Sequence, residues 1–409
     1  MPGAAVGRGR GGRRAQPRAA AQSALLTGAC PSPPPVSASP AGLCRPAPAG
    51  HRSPRPLPAL GGHVSTAPAP SFDPAALHRE SIVFNALDCT PLSWADETYL
   101  GKLAASGVTA FNHATIVSQG YDAAVASIVG WQRRLTETDG RIFQGRGLAD
   151  VRRAKEEGSV AWFVGFEDSK PIGDELWRLE ALHQLGLRFL GLTYQNRNFA
   201  GDGSGETANG GLSRFGRSLV RECNRLGIAL DLSHTGERST LETIELSEKP
   251  VLVTHAGLTR FVASPRNKSD QVVRELAARG GAFGLAAKSG FLSPDGLKGP
   301  TGPEVFADNI DHLVDLVGID HVIVGTDVGD ERKYSKEGMA RVRRLYPEIP
   351  IVDDRLDLDL IHPVGMGTPA DLPVITDVLA RRGYGADDIR KVLGGNLMRV
   401  LGEIWGEAA

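Results

Sequence analysis

The sequence predicts an α/β protein folded as a (β/α)8 TIM barrel, and three observations carry that reading. Eight short apolar runs alternate with segments of helical spacing beyond Phe72. The runs are almost continuous in Val, Ile, Leu, Phe and Ala, as in parallel strands buried on both faces. Several of them end in carboxylates or imidazoles, and a parallel barrel carries its chemistry on the loops beyond its strand C-termini.

Taken in order, the strand candidates are Ile82-Val83-Phe84, Val108 to Phe111, Val160 to Phe166, Phe189 to Thr193, Ile228 to Leu232, Val251 to Val253, Ala282 to Leu285 and Val322 to Gly325. Between them apolar residues recur three and four apart, as in Leu176, Leu179, Leu182, His183 and Leu187, or Leu219, Val220, Cys223 and Leu226. Eight alternations over about 250 residues fit a barrel, with a doubly wound open sheet as the competitor. After the last strand, Gly329 to Gly367 is long and charged, as a lid or interface on the catalytic face would be. Helical spacing resumes at Thr368 to Arg382 and Ala386 to Leu401.

Ahead of the barrel, Met1 to Pro70 is Pro, Ala, Gly and Arg with almost no large apolar residues, and it cannot bury enough surface to fold. Residues 1–71 are therefore read as a disordered extension and 72–409 as the barrel domain. The first arginines suit an export signal, but the apolar core at Ala24 to Leu26 is short, which favours a cytoplasmic location over export.

Composition excludes several function classes. The chain has 409 residues, 41% hydrophobic and 23% charged, enough for one large domain or two ordinary ones. A net charge of -1 gives no basic field for nucleic acid. Cys30, Cys44, Cys89 and Cys223 show no C-x-x-C spacing, so neither a disulfide scaffold nor a thiolate zinc site is expected. No apolar run approaches the roughly 18 residues that cross a bilayer.

Chemistry concentrates between Gly227 and Asp270. Ile228 to Leu232 leads into Ser233-His234, and Val251 to Val253 leads into Thr254-His255. Two imidazoles at neighbouring strand ends are a metal-site candidate, because neutral imidazole is a common zinc ligand. The first strand runs toward Asp88, the third into Glu167, and the eighth into Asp327. Ligands that fix a cation, together with a carboxylate that moves protons, make up a metal-dependent hydrolase.

Gly165-Phe166-Glu167, the segment LGLRFLGLTYQNRNFAGDG, then GGLSRFGRSLVRECNRLGIALDLSH, VTHAG, SPRNKSD and GTD closely resemble the membrane dipeptidase (renal dipeptidase) family of zinc peptidases. The resemblance runs from about Phe72 to the C-terminus. It implies a (β/α)8 barrel of the metallo-dependent hydrolase type that hydrolyses dipeptides with a pair of zinc ions and a hydroxide between them. By the same resemblance, Glu167 bridges the two metals, and His234 and His255 hold the second. Arg266 binds the substrate carboxylate, for which a planar guanidinium fork is suited, and Asp327 relays protons.

Two departures modify that picture. The family's first strand carries an Asp-x-His-x-Asp pattern, whereas this chain reads Phe84-Asn85-Ala86-Leu87-Asp88, with alanine at the histidine position. Asp88 and Glu167 would then be the protein ligands of the first zinc, too few for a tight site. After the fourth strand, Tyr194 stands where mammalian-type members have a histidine; a phenol there can still donate to a developing oxyanion and contact substrate. His113 and His362 lie on the same rim, and Cys89 adjoins Asp88, but local packing is the better reading for each. The glycine-rich loop Asn196 to Gly211 is expected to shape the pocket; no lysine follows it as a phosphate-binding loop requires.

The expected function is hydrolysis of dipeptides by a zinc enzyme, with a small-molecule substrate, no nucleic-acid partner, and pairing of two barrels left open. The competing readings are a one-metal hydrolase of another small amide or lactam, and a non-catalytic metal- or partner-binding barrel.

Overall fold

The computed structural model describes residues 70–330 and 334–406; apart from its last two residues, the extension read for 1–71 lies outside them. Among the described residues nine strands form: β1 Phe84–Asp88, β2 Ala110–Ile116, β3 Ile142–Gln144, β4 Val160–Phe166, β5 Leu187–Gly191, β6 Ala229–Asp231, β7 Leu252–Ala256, β8 Ala282–Leu285 and β9 Val322–Val324. They pair in parallel in the order β1-β2-β4-β5-β6-β7-β8-β9. The ring closes where Asp88 bridges Val328 and Thr326 N donates to Asn85 Oδ1 at 3.0 Å. The expected barrel is therefore present. The short β3 is additional: Ile142 pairs with Val160 along the part of β4 that β5, whose pairing starts at Val164, leaves open.

Alternation along the strands builds two buried layers. Phe84, Ala86, Ala110, Ala161, Phe163, Phe189, Ala229, Leu252, Ala282 and Ile323 fill the barrel with Leu397, Leu401 and Ile404 of the C-terminal helix Asn396–Trp405. Phe163 stacks on Phe84 at 5.4 Å and on Trp405 at 5.5 Å. Such pairs contribute about 0.5–1.5 kcal/mol each beyond area burial, so this end of the barrel is a plug rather than a passage. The intervening residues Phe111, Trp162, Val164, Leu190, Leu230, Val253 and Phe283 pack on the surrounding helices.

The register shifts in four of the strand pairings, and two of these shifts bear on the rim that carries His255 and Asp88. Val253 pairs with Phe283 and Ala256 with Leu285, so β7 holds one extra residue. Val253 and Ala256 both face the helices, and the insertion frees His255 to turn inward, as bulges beside active sites do. In β1, Asn85 pairs with Phe111 and Asp88 with His113, again one residue too many. Here the shift turns Asp88 to the same side as His113, toward the helices.

Close backbone approach behind His255 demands glycine. A Cβ on Gly284 or Gly325 would lie 1.9 or 1.8 Å from the Thr254 carbonyl oxygen. The charged segment after β9 contributes the helix Lys336–Leu345 and then packs on the loop after β8, where Ser289 N donates to Ile361 O at 2.9 Å. His362 Nδ1 meets Ala287 O at 2.6 Å, so this histidine packs as expected. Among the described residues no helix is long and apolar enough to cross a membrane.

Candidate metal centre

Glu167 follows β4, His234 follows β6, and His255 lies in the bulged part of β7. Their ligand atoms all lie within 4.8 Å of one another. Glu167 Oε2 stands 2.9 Å from His234 Nε2 and 3.5 Å from His255 Nε2, and the two Nε2 atoms are 3.0 Å apart. Ligands about 2.1 Å from a tetrahedral zinc would stand about 3.4 Å apart, so this spacing suits the ion.

The tautomer of His255 follows from its hydrogen bonds. Thr254 Oγ1 is 2.6 Å from Asp231 Oδ2, which can only accept, so the hydroxyl proton goes there. Thr254 Oγ1 must then accept from His255 Nδ1–H at 2.7 Å, which leaves the Nε2 lone pair facing Glu167 and His234. Asp231 Oδ1 also takes Ser233 N at 3.0 Å, Ser233 Oγ at 2.5 Å and Thr254 N at 2.9 Å. One carboxylate thus fixes the ends of β6 and β7 and orients a candidate ligand, a supporting role common in metal sites.

Electrostatics favour the ligating forms. Burial first, and the Arg266 charge second, push the His234 pKa down to about 3 against the pull of Glu167, so the ring is neutral at ordinary pH. Burial drives the Glu167 carboxyl upward, but its contacts with His234 and His255 outweigh it and hold the group well below the usual range. His234 Nδ1 is buried with no hydrogen-bond partner among the described residues. Tyr194 stacks on the His234 ring at 4.2 Å.

Arg266 is 1% exposed and lies directly against this cluster. Its Nη1 donates to Ser233 O at 2.5 Å, and its Nη2 donates to His255 O at 2.8 Å and lies 3.1 Å from His234 Nε2. Nearby Lys268, also buried, donates to Thr235 O at 2.5 Å and ties the loop after β7 to that after β6. Asp327, at the end of β9, sits with Lys288, whose Nζ is 3.4 Å from Asp327 Oδ2.

Asp88, read as a ligand of the first zinc, ends β1. It is outside the cluster of three, and its Oδ1 accepts from Thr90 N at 2.9 Å. Its charge acts on Tyr99 of the helix Glu97–Ser106, a phenol raised first by burial and then by Asp88. The β1 bulge is the physical reason. His113 Nε2 meets Thr90 O at 2.7 Å and its ring lies against Trp131 at 4.4 Å, while Cys89 Sγ contacts Asp327 O at 3.5 Å. Asp231 and Lys288 are absent from the site residues that the sequence pattern picks out. The D-x-S-H spacing of Asp231-Leu232-Ser233-His234 is a usable signal for the first, whereas nothing local marks the second.

The sequence profile of the membrane dipeptidase family, peptidase family M19, matches residues 121–353 and 356–408. Dipeptidase verJ of Clonostachys rogersoniana is 27% identical over 266 residues, 64% of this chain; the chain spans 60% of that relative's length. The crystal structure of an amidohydrolase from Pseudomonas aeruginosa shares 31% identity at a TM-score of 0.74, covering 82% of this chain and 100% of that one. Dipeptidase AC, a metallopeptidase of family M19, gives a TM-score of 0.67 at 25% identity over 80% of this chain and 99% of its own. Since the profile extends from the helix after β2 almost to the last residue, this chain belongs to the membrane dipeptidase family.

Proposed function

We propose that the protein is a zinc-dependent dipeptidase that holds one zinc ion at Glu167, His234 and His255 and cleaves dipeptides with a free C-terminal carboxylate. The observation that carries this reading is the convergence of those three ligand atoms within 4.8 Å on the barrel rim. Bound zinc would polarise the scissile carbonyl and acidify a water.

The surrounding side chains supply the rest. Arg266 is a buried cation whose described hydrogen-bond partners are two carbonyls and an imidazole, none of them anionic. A buried guanidinium with no carboxylate hydrogen-bonded to it, attracted only across space by Asp327, Asp231 and Glu167, favours a ligand that brings one, which supports anchoring of the substrate carboxylate. Tyr194 offers a phenol to the developing oxyanion, and Asp327 takes and returns the proton. Beside Tyr194 opens a cleft of about 760 Å³, lined also by Asp168, Asn198, Phe199, Arg341 and Tyr346, large enough for a dipeptide.

The test is metal content by mass spectrometry on the full chain, with hydrolysis of free dipeptides and their C-terminal amides. About one zinc per chain is expected, with amides turned over at least roughly 100-fold more slowly because they lack the second oxygen of a bidentate pair. Turnover confined to amides or lactams would move the assignment to another amide hydrolase. Zinc without any turnover would make this a binding barrel.

The packing of β1 also supports a single zinc. Ala86 is fully buried in the barrel interior, and a Cβ on Gly325 would stand 3.2 Å from its own. Ala86→His is therefore expected to leave the zinc count at one and to lower stability by about 1–3 kcal/mol through overpacking. A count of two would show that β1 can be reset to supply both ligands.

A further inference from the structure

Lys288 stands just beyond β8 and is 3% exposed, yet the metal cluster has no use for it. Its Nζ donates to the Asp327 carbonyl at 2.5 Å, lies 3.4 Å from the carboxylate of that same residue, and donates to Tyr334 Oη. The Tyr334 ring centroid is 5.0 Å from the ammonium, and that ring lies 5.7 Å from His362, whose Nδ1 meets Ala287 O beside Lys288. Asp327 itself has φ +53°, the left-handed region that non-glycine residues seldom occupy. Cys89 Sγ approaches its carbonyl from β1 at 3.5 Å.

We propose that Lys288 is the positioning residue of Asp327, one ammonium binding both the carbonyl and the carboxylate so that the left-handed turn and the side-chain direction are set together. This rests on the role given to Asp327 in the dipeptidase reading. An ammonium that bonds two oxygens of one residue closes a ring through that residue's backbone and χ1, which a neutral side chain of equal length cannot do. Tyr334 holds the ammonium from the opposite side and joins the segment after β9 to the site. Strain kept in place by its surroundings at a proton-transfer residue is a recurrent feature of active sites.

Lys288→Met keeps length and removes charge. Its crystal structure should show Asp327 leaving the left-handed region with its carboxylate turned away, at unchanged zinc content. Dipeptide kcat should fall about 10- to 100-fold with KM within about twofold, because a misdirected group slows chemistry without weakening binding. Lys288→Arg should recover part of kcat. Tyr334→Phe, which removes one partner of the ammonium and disturbs folding less, should lower kcat by about threefold with KM unchanged. The proposal is overturned if Asp327 stays in place in Lys288→Met, if kcat survives in both Lys288→Met and Tyr334→Phe, or if zinc is lost along with activity. If the unmodified chain cleaves no dipeptide, the dipeptidase reading fails by itself, and the position of Asp327 still decides this one.

Discussion

His234→Ala is expected to reduce bound zinc from about one ion per chain to nearly none and to lower turnover by roughly 10³-fold, about 4 kcal/mol. Only three described side chains converge on the site, and the loss of one leaves Glu167 and His255. The vacated space would not stay neutral. Arg266 Nη2 is already 3.1 Å from His234 Nε2, and Glu167 Oε2 is 2.9 Å from that same nitrogen. With the ring gone, the guanidinium can pair with the carboxylate and compete with any returning cation. The apoprotein should remain folded, because removing the ring also removes a buried Nδ1 that no described residue satisfies, which offsets part of the lost packing. Melting curves with and without zinc separate these effects: zinc at 100 times its Kd should stabilise the unmodified chain by about 2.7 kcal/mol and the variant not at all. Unchanged zinc content would remove His234 from the metal site.

The same neighbourhood shows what a sequence can disclose and what it cannot. Val160 to Phe166 and Ala282 to Leu285 are readable as strands because both faces are buried, which makes the run itself apolar. Glu167, His234 and His255 are readable because each ends such a run, and parallel topology gathers those ends on one rim. The short β3 is not, since Ile142-Phe143-Gln144 gives too few residues for a period to emerge. Nor is the direction of Asp88. Two-residue alternation from Phe84 points it inward with Ala86, and only the pairing of Asp88 with His113 reveals the inserted residue that turns it outward. Lys288 and Asp327 follow separate strands, so their contact is a consequence of β8 and β9 being neighbours and has no local signature.

Asp231→Asn is expected to fold and yet to bind zinc about 10- to 100-fold more weakly, with turnover falling in step. The substitution keeps the shape of the side chain. Its remaining oxygen has to occupy the Oδ1 position, where Ser233 N, Ser233 Oγ and Thr254 N all donate; an amide flipped the other way would set three donors against a fourth. The NH2 group therefore faces Thr254 Oγ1, where Oδ2 now accepts at 2.6 Å. That hydrogen bond reverses, the hydroxyl proton is released toward His255 Nδ1 at 2.7 Å, and Nδ1 becomes the acceptor. The ring proton moves to Nε2, the atom that must ligate. A reversed tautomer at unchanged geometry is the known effect of the same substitution in a serine-protease triad. Asp231→Ala, by contrast, leaves two buried backbone N–H groups without acceptors and should cost about 2–5 kcal/mol in stability before metal is considered. Chelator competition for zinc alongside thermal melts distinguishes the two variants. Full zinc affinity in a folded Asp231→Asn protein would mean that His255 does not owe its tautomer to Thr254, and that the relay from Asp231 only holds the strand ends together.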